Sequence, residues 1–384
     1  MTSDARGRDA ATQVARTAPA KPYIKTARFH AYFIYDVADT IDLARLQSIG
    51  GDDFQKAQLD LRTVSAPSYI QFSVPPLMVS SPHTVVDGHQ AVVRLKFYDY
   101  GTVAIRLSFD YSGSWNEFAD FTHKLRLSDN LTRSAETLLA STLKQANGAL
   151  NKAHSPLLED YFILEIESFE PAITSSELLN DHRNALASLM LSETRQLSAL
   201  EQEEAFRFHF SYFETDLAVI QWDSAFVFDT REAAEAMENI LEFANTQLVE
   251  LRSYDARLDS ELDEIYKWNL GRKQPHWLWG RRAVARRTDR LRGLLVDIQE
   301  LTDRSSNAVK IIGDAFYARL YRGAAQRFCL SDWQNQIEGK LTSVGDVYRL
   351  ATDEAQHVRS EFLELIIIAL IVIEILLVIW GVGR

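Results

Sequence analysis

The sequence predicts an α+β fold: an N-terminal, mostly antiparallel sheet with helices, then a long-helix coiled-coil bundle that ends in one apolar helix. Three observations lead to this prediction. Residues 91–109 alternate apolar and polar side chains on both sides of a turn that contains glycine, which is typical of a β-hairpin. After residue 230, apolar residues recur at coiled-coil spacing. Residues 362–382 form an almost unbroken apolar run.

The first half of the chain has an element order typical of an α+β sandwich with helices on one face of the sheet. Residues 27–35 are rich in aromatic side chains and predict a strand, and Asp39 is a suitable N-cap for a short helix after it. The other predicted elements are an extended segment at 69–79, a helical region at 115–150 with a break near 128–130, a strand at 161–166, a helical segment from Ser175, and two or three strands within 206–229.

The second half predicts three long helices. Apolar residues with 4-3 spacing on the first helix include Leu241, Leu248 and Leu258, with Asp255 as a polar residue in register. The third helix keeps this spacing into the C-terminal apolar run, which predicts one continuous helix from about Ser331 to Trp380. An ordinary three-helix domain with a flexible joint is the alternative.

A chain of 384 residues with 46% hydrophobic content is long enough for about two domains. The change of pattern at residue 230 predicts the boundary between them. The predicted segments are a disordered tail at 1–26, an α+β domain at 27–229, a helical coiled-coil domain at 230–361, and a transmembrane tail anchor at 362–382.

The anchor prediction rests on length and apolarity. As a helix, residues 362–382 would rise about 31 Å, which matches the hydrocarbon core of a bilayer. No signal peptide precedes the folded part, so we expect the N-terminal bulk in the cytoplasm, at the cell inner membrane or, in a eukaryote, the mitochondrial inner membrane. Glu374 interrupts the run near its middle, and a carboxylate there needs a partner helix, which favours a homo-oligomer or a partner membrane protein.

A basic connector at 271–292 separates the first two long helices. Arginines mixed with tryptophans suit an anionic lipid surface, and they also suit structured RNA or the ribosome. A solvated helix face with ordinary salt bridges is the third interpretation. The residues predicted to contact lipid or RNA are Trp277, Trp279, Arg281, Arg282, Arg286 and Arg287.

Little in the sequence indicates catalysis. A net charge of -12 disfavours general binding of nucleic acid, and a single cysteine, Cys329, excludes an internal disulfide. His83, Asp87 and His89 could bind a metal in principle, but a solvated loop explains them better. No phosphate-binding glycine motif or nucleophile motif is present. We therefore expect no enzyme, no cofactor, no metal and no small-molecule substrate.

The apolar run also resembles a known family. The pattern is Leu363-Glu364 followed by Ile366-Ile367-Ile368, Leu370-Ile371 and Ile373-Glu374-Ile375. It is similar to the C-terminal signature of the required-for-meiotic-nuclear-division family, and weaker similarity lies around Ala31-Tyr32-Phe33 and the hairpin at 97–103. The resemblance implies a non-enzymatic, membrane-tethered, oligomeric scaffold that supports organellar translation. The residues that carry it, which are also the predicted anchor residues, are Leu363, Glu364, Ile366, Ile367, Leu370, Ile373, Glu374 and Ile375.

Together these patterns predict a tail-anchored membrane scaffold without enzymatic activity. It would self-associate through its long helices and present the α+β domain to a partner, with the translation machinery as one candidate. The alternatives are a module that recruits RNA or ribosomes through 271–292, and an enzyme with an unrecognised site in 27–229.

Overall fold

The structure is a computed structural model that describes residues 21–50, 54–56, 74–270 and 314–382, with three single positions between 293 and 298. Within these ranges the side chains of 50, 54–56, 80–82, 264–270, 347–363, 365–366 and 376–382 lie outside the description. The basic connector at 271–292 and the tail at 1–20 are outside the described residues too.

A nine-stranded sheet forms the centre of the described chain, in the strand order β2-β3-β4-β5-β1-β6-β9-β8-β7. Every neighbouring pair is antiparallel except β6 and β9. The strands are β1 (Tyr23–Ile41), β2 (Phe54–Lys56), β3 (Leu77–Val86), β4 (His89–Phe97), β5 (Thr102–Ser114), β6 (Leu150–Glu170), β7 (His209–Phe210), β8 (Leu217–Ile220) and β9 (Ser224–Phe228). The α+β class and the mostly antiparallel sheet are confirmed.

Helices cover both faces of this sheet, whereas the sequence predicted helices on one face. The helices are α1 (Leu43–Gly50), α2 (Trp115–Arg126), α3 (Asp129–Ala146), α4 (Ser175–Asn180), α5 (Arg183–Met190), α6 (Ala199–Ala205), α7 (Arg231–Leu270), α8 (Ala315–Arg327) and α9 (Leu330–Val382). On β1, Phe29 and Phe33 pack with α1 to α6, while Tyr32 and Ile34 pack with α7, α8 and α9. Because apolar residues occupy both sides of β1, both faces can be buried.

The hairpin of β4 and β5 has the predicted strands, with Phe97 opposite Val103. Gly101 in its turn has a φ of +95°, which a residue with a side chain rarely adopts. Asp39 is not a helix cap, because β1 continues to Ile41 along β6. Asp42 has that role instead, and its Oδ1 accepts a 2.9 Å hydrogen bond from the backbone of Arg45 in α1.

The long helices α7 and α9 pack against each other beside the sheet. The predicted seam residues Leu241, Leu248 and Leu258 are buried, and Asp255 forms a 2.7 Å ion pair with Lys340 of α9. The described helix α9 is continuous from Leu330 to Val382, in agreement with the predicted third helix.

The transmembrane anchor predicted at 362–382 is wrong. Within the part of the chain that the structure describes, no helix combines enough length with enough apolarity to cross a membrane. In place of the predicted single-pass tail anchor, the structure has a long helix with exposed apolar side chains between Ile367 and Ile375.

Candidate functional site

A buried polar interface joins the sheet to α7. The sheet contributes basic side chains from β4 and β5, and α7 contributes carboxylates one turn apart. Arg94 and Arg106 lie directly opposite each other on β4 and β5, and two like charges in such a pair repel. Glu235 and Glu238 of α7 compensate this repulsion, because each of them pairs with one of these arginines.

The centre of the interface is a cluster of His30 on β1, Glu165 on β6 and Glu238 on α7. All three side chains are fully buried. His30 Nε2 lies 2.8 Å from Glu165 Oε2 and 3.2 Å from Glu238 Oε1. Because both neighbours are carboxylate oxygens, we assign a proton to Nε2, which donates to them. The other ring nitrogen, Nδ1, lies 2.8 Å from the Ser108 hydroxyl on β5.

Three arginines surround the two carboxylates. Arg106 donates to Glu238 Oε2 at 2.6 Å, and Arg28 donates to Glu165 Oε1 at 3.0 Å. Arg231, in the first turn of α7, donates to Glu165 Oε2 at 2.6 Å and lies 3.4 Å from Glu238 Oε1. The negative charges of the buried acids are thus compensated by neighbouring cations, which is the condition for keeping charges inside a protein.

This environment changes the pKa of Glu238. Burial alone would raise that pKa, but contact with His30, Arg106 and Arg231 outweighs burial, and the pKa of the carboxyl falls well below its ordinary value. The phenol of Tyr32 lies 3.4 Å from Glu238 Oε2, and its pKa is raised chiefly by burial. Glu238 therefore stays ionised at neutral pH, as an acceptor and a potential metal ligand.

The polar contacts continue along α7. Lys96 of β4 donates to Glu242 Oε2 at 2.6 Å, and the Tyr98 hydroxyl donates to Glu242 Oε1 at 2.9 Å. Further along, Arg257 donates to Asp39 of β1 at 2.8 Å. The helix is therefore fixed to the sheet by directional, charge-assisted bonds over several turns, and its position along the strands is specified.

The predicted functional residues fall into two groups, one outside and one partly inside the described residues. Those assigned to lipid or RNA contact all lie outside the described residues, so that prediction is untested. They are Trp277, Trp279, Arg281, Arg282, Arg286 and Arg287. Of the predicted anchor residues, Glu364, Ile367, Leu370, Ile373, Glu374 and Ile375 are exposed on α9, and the side chains of Leu363 and Ile366 are outside the description.

The histidine motif of the β3–β4 turn does not form a metal site among the described residues. Asp87 accepts hydrogen bonds from Ser128 and Asn130 at the start of α3. His89 packs edge-on against Phe121. Among the described residues the three side chains of this motif are not grouped at metal-binding distance, and Asp87 contacts the start of α3 instead.

Sequence reasoning missed the central cluster because its members are far apart in the chain. His30 and Glu165 are 135 positions apart, and Glu238 comes from another element type. A signal was available: His30 and Glu165 each interrupt a strongly apolar strand, and a polar residue in a buried strand needs a partner. Neither segment by itself, however, specifies which strands pair.

Comparison with known proteins gives one family. Residues 26–235 match the family described as "Uncharacterized protein MJ0711, N-terminal domain". The chain is 22% identical over 199 residues to the uncharacterized protein MJ0711 of Methanocaldococcus jannaschii, which covers 52% of this chain and 60% of that protein. The match thus spans less than two thirds of that relative. No solved structure matches the chain.

Proposed function

The chain belongs to the family of the N-terminal domain of uncharacterized protein MJ0711, and we propose from its own geometry that it is a non-enzymatic scaffold that self-associates through its long helices. The observation that carries this proposal is the exposed apolar segment of α9. Seven large apolar side chains between Ile367 and Ile375 are each about half exposed: Ile367, Ile368, Leu370, Ile371, Val372, Ile373 and Ile375. Single chains rarely expose so continuous an apolar surface.

A second copy of the chain is the partner that suits this segment. The exposed side chains are spread over more than two helical turns, so they lie on all sides of the helix. A single flat partner surface would leave some of them in water. A bundle of α9 helices from several copies covers more of each helix than one flat surface does. Burying each half-exposed side chain contributes about 1 kcal/mol.

The long helices hold the segment away from the sheet. With 53 residues, α9 is about 80 Å long, and the start of α9 and the neighbouring α7 are fixed to the rest of the protein. The Asp255–Lys340 ion pair and the buried Val344 join α9 to α7. Copies joined through the far part of α9 would therefore hold their α+β domains at a defined distance and present them to a partner.

Sedimentation velocity of the full-length protein over a range of concentrations tests the proposal. We expect a discrete oligomer for the wild type and a smaller species for the variant Ile368→Glu/Ile371→Glu. Ser343→Glu, at an exposed position of the same helix outside the apolar segment, is the matched control and should leave the oligomer intact. A wild type that sediments as a monomer at every concentration would refute the proposal.

A carboxylate inside the segment gives a second test. Glu374 is exposed in the single chain, but a bundle would surround it with apolar side chains. Glu374→Gln removes the charge and keeps the shape, so we expect tighter association in the same experiment. Weaker association would mean that Glu374 forms a specific ion pair between copies.

A further inference from the structure

We propose that His30, Glu165 and Glu238 form a binding site for a divalent first-row transition metal ion, in which the ion takes the place of the Arg231 guanidinium. This inference does not depend on self-association. The three ligand atoms, one from each residue, lie within 4.8 Å of one another. Imidazole and carboxylate groups together suit ions such as Zn²⁺ or Mn²⁺.

The spacing of these atoms is close to that of a metal site. His30 Nε2 is 2.8 Å from Glu165 Oε2 and 3.2 Å from Glu238 Oε1. Two tetrahedral ligands that are each about 2.1 Å from a metal ion are about 3.4 Å apart. Small rotations of the side chains would therefore admit the ion, with no change in the strands or in α7.

The far atoms of the same three side chains are already held, as the ligands of metal sites usually are. Ser108 contacts His30 Nδ1 at 2.8 Å, Arg106 contacts Glu238 Oε2 at 2.6 Å, and Arg28 contacts Glu165 Oε1 at 3.0 Å. These partners leave Nε2 and one oxygen of each carboxylate directed at a common point. The arrangement fixes the ligands before an ion arrives.

A cationic group already contacts the two converging oxygens. Arg231 Nη1 lies 2.6 Å from Glu165 Oε2 and 3.4 Å from Glu238 Oε1, the same two atoms that would bind the metal. Its side chain is 28% exposed, whereas those of both glutamates are fully buried. Arg231 can therefore turn outward into solvent and open the path by which the ion enters.

The exchange conserves charge within the cluster. One ion brings two positive charges, and the guanidinium takes one away. His30 takes part as the imidazolium, with protons on Nε2 and on Nδ1, where Ser108 accepts. It releases the Nε2 proton to solvent and binds the ion as the neutral imidazole that keeps the Nδ1 proton. The fixed partners Arg28 and Arg106 keep their contacts with the far oxygens. The buried site therefore carries the same total charge before and after metal binding, so the exchange adds no uncompensated charge to the interior.

Calorimetric titration of the chelator-treated, full-length protein with ZnCl₂ tests this inference. Cys329 is exposed and would bind Zn²⁺, so all variants carry Cys329→Ser. We expect one ion per chain and, in two buffers of different ionisation enthalpy, the release of one proton. Arg231→Ala should raise the affinity about tenfold or more because the competing cation is gone. Arg231→Ala/His30→Gln should lose the site.

Arg94→Ala is the matched control. It breaks an ion pair between the sheet and α7 with exposure similar to that of Arg231, but Arg94 does not touch the cluster, so the Zn²⁺ affinity should not change. Circular dichroism verifies that each variant is folded, and Arg231→Ala alone suffices if the His30 variant unfolds. Zn²⁺ affinity that is equal in the wild type and Arg231→Ala, or no binding by either, would overturn the inference.

Discussion

Glu238→Gln should lower the free energy of unfolding far more than the removal of one ion pair on the protein surface would. The substitution keeps the shape of a fully buried side chain but removes the charge that Arg106 contacts at 2.6 Å. Arg106 is itself only 8% exposed, so its guanidinium would remain buried without its closest carboxylate. Removing one member of a buried pair costs about 3–5 kcal/mol. For a unit of 150–250 residues this lowers Tm by about 6–20 °C.

Urea denaturation followed by circular dichroism, with chelator present, measures this loss. Glu235→Gln is the control, because its pair with Arg94 at 2.8 Å is partly exposed and should contribute about 0–1 kcal/mol. A loss for Glu238→Gln no larger than that of the control would refute the reasoning. The double variant Glu238→Leu/Arg106→Met removes both charges and should recover most of the stability, since apolar replacement of a buried pair is often neutral.

Three further predictions concern other parts of the fold. Gly101→Ala should lower the free energy of unfolding by about 2–4 kcal/mol, because φ at this position is +95° and the new Cβ would overlap the backbone carbonyl of Ala38. Gly88→Ala is the control: its φ is +83° but the space around it is open, so the loss should be about 1 kcal/mol. The same urea denaturation measures both losses. Burial raises the pKa of the Asp229 carboxyl to about 6, so the folded state binds its proton more tightly than the unfolded state. The associated stability is present below about pH 4 and is lost as pH rises through about 6, so Asp229→Asn should gain about 1 kcal/mol over the wild type between pH 4 and 8, a value reduced for partial exposure. A difference between these two proteins that stays constant with pH would contradict this. Lys340→Glu, which puts a like charge beside Asp255, should lower the stability by about 1 kcal/mol in thermal unfolding, and adding Asp255→Lys should restore it.

The correction at the C-terminal helix shows where a one-dimensional pattern was insufficient. The run of apolar residues after residue 362 indicated a helix, and α9 is helical there. Crossing a membrane is a further claim, and the described helices do not meet its requirements of length and apolarity. Such a pattern reports that a helix needs an apolar partner, but it does not report which partner.

Local patterns determined the elements of this protein. Alternation at 91–109 predicted the β4–β5 hairpin, a break near 128–130 separated α2 from α3, and coiled-coil spacing predicted a continuous α9. Each of these signals depends on side chains only a few positions apart, so the sequence alone contains it.

The tertiary structure alone decided the candidate site. His30, Glu165 and Glu238 meet only because β1 lies beside β6 and α7 crosses both strands. Nothing within any of the three segments specifies that pairing, since strand order follows from the packing of the whole sheet. The second buried face of the sheet, which the sequence did not predict, is therefore also the face that carries the buried charges.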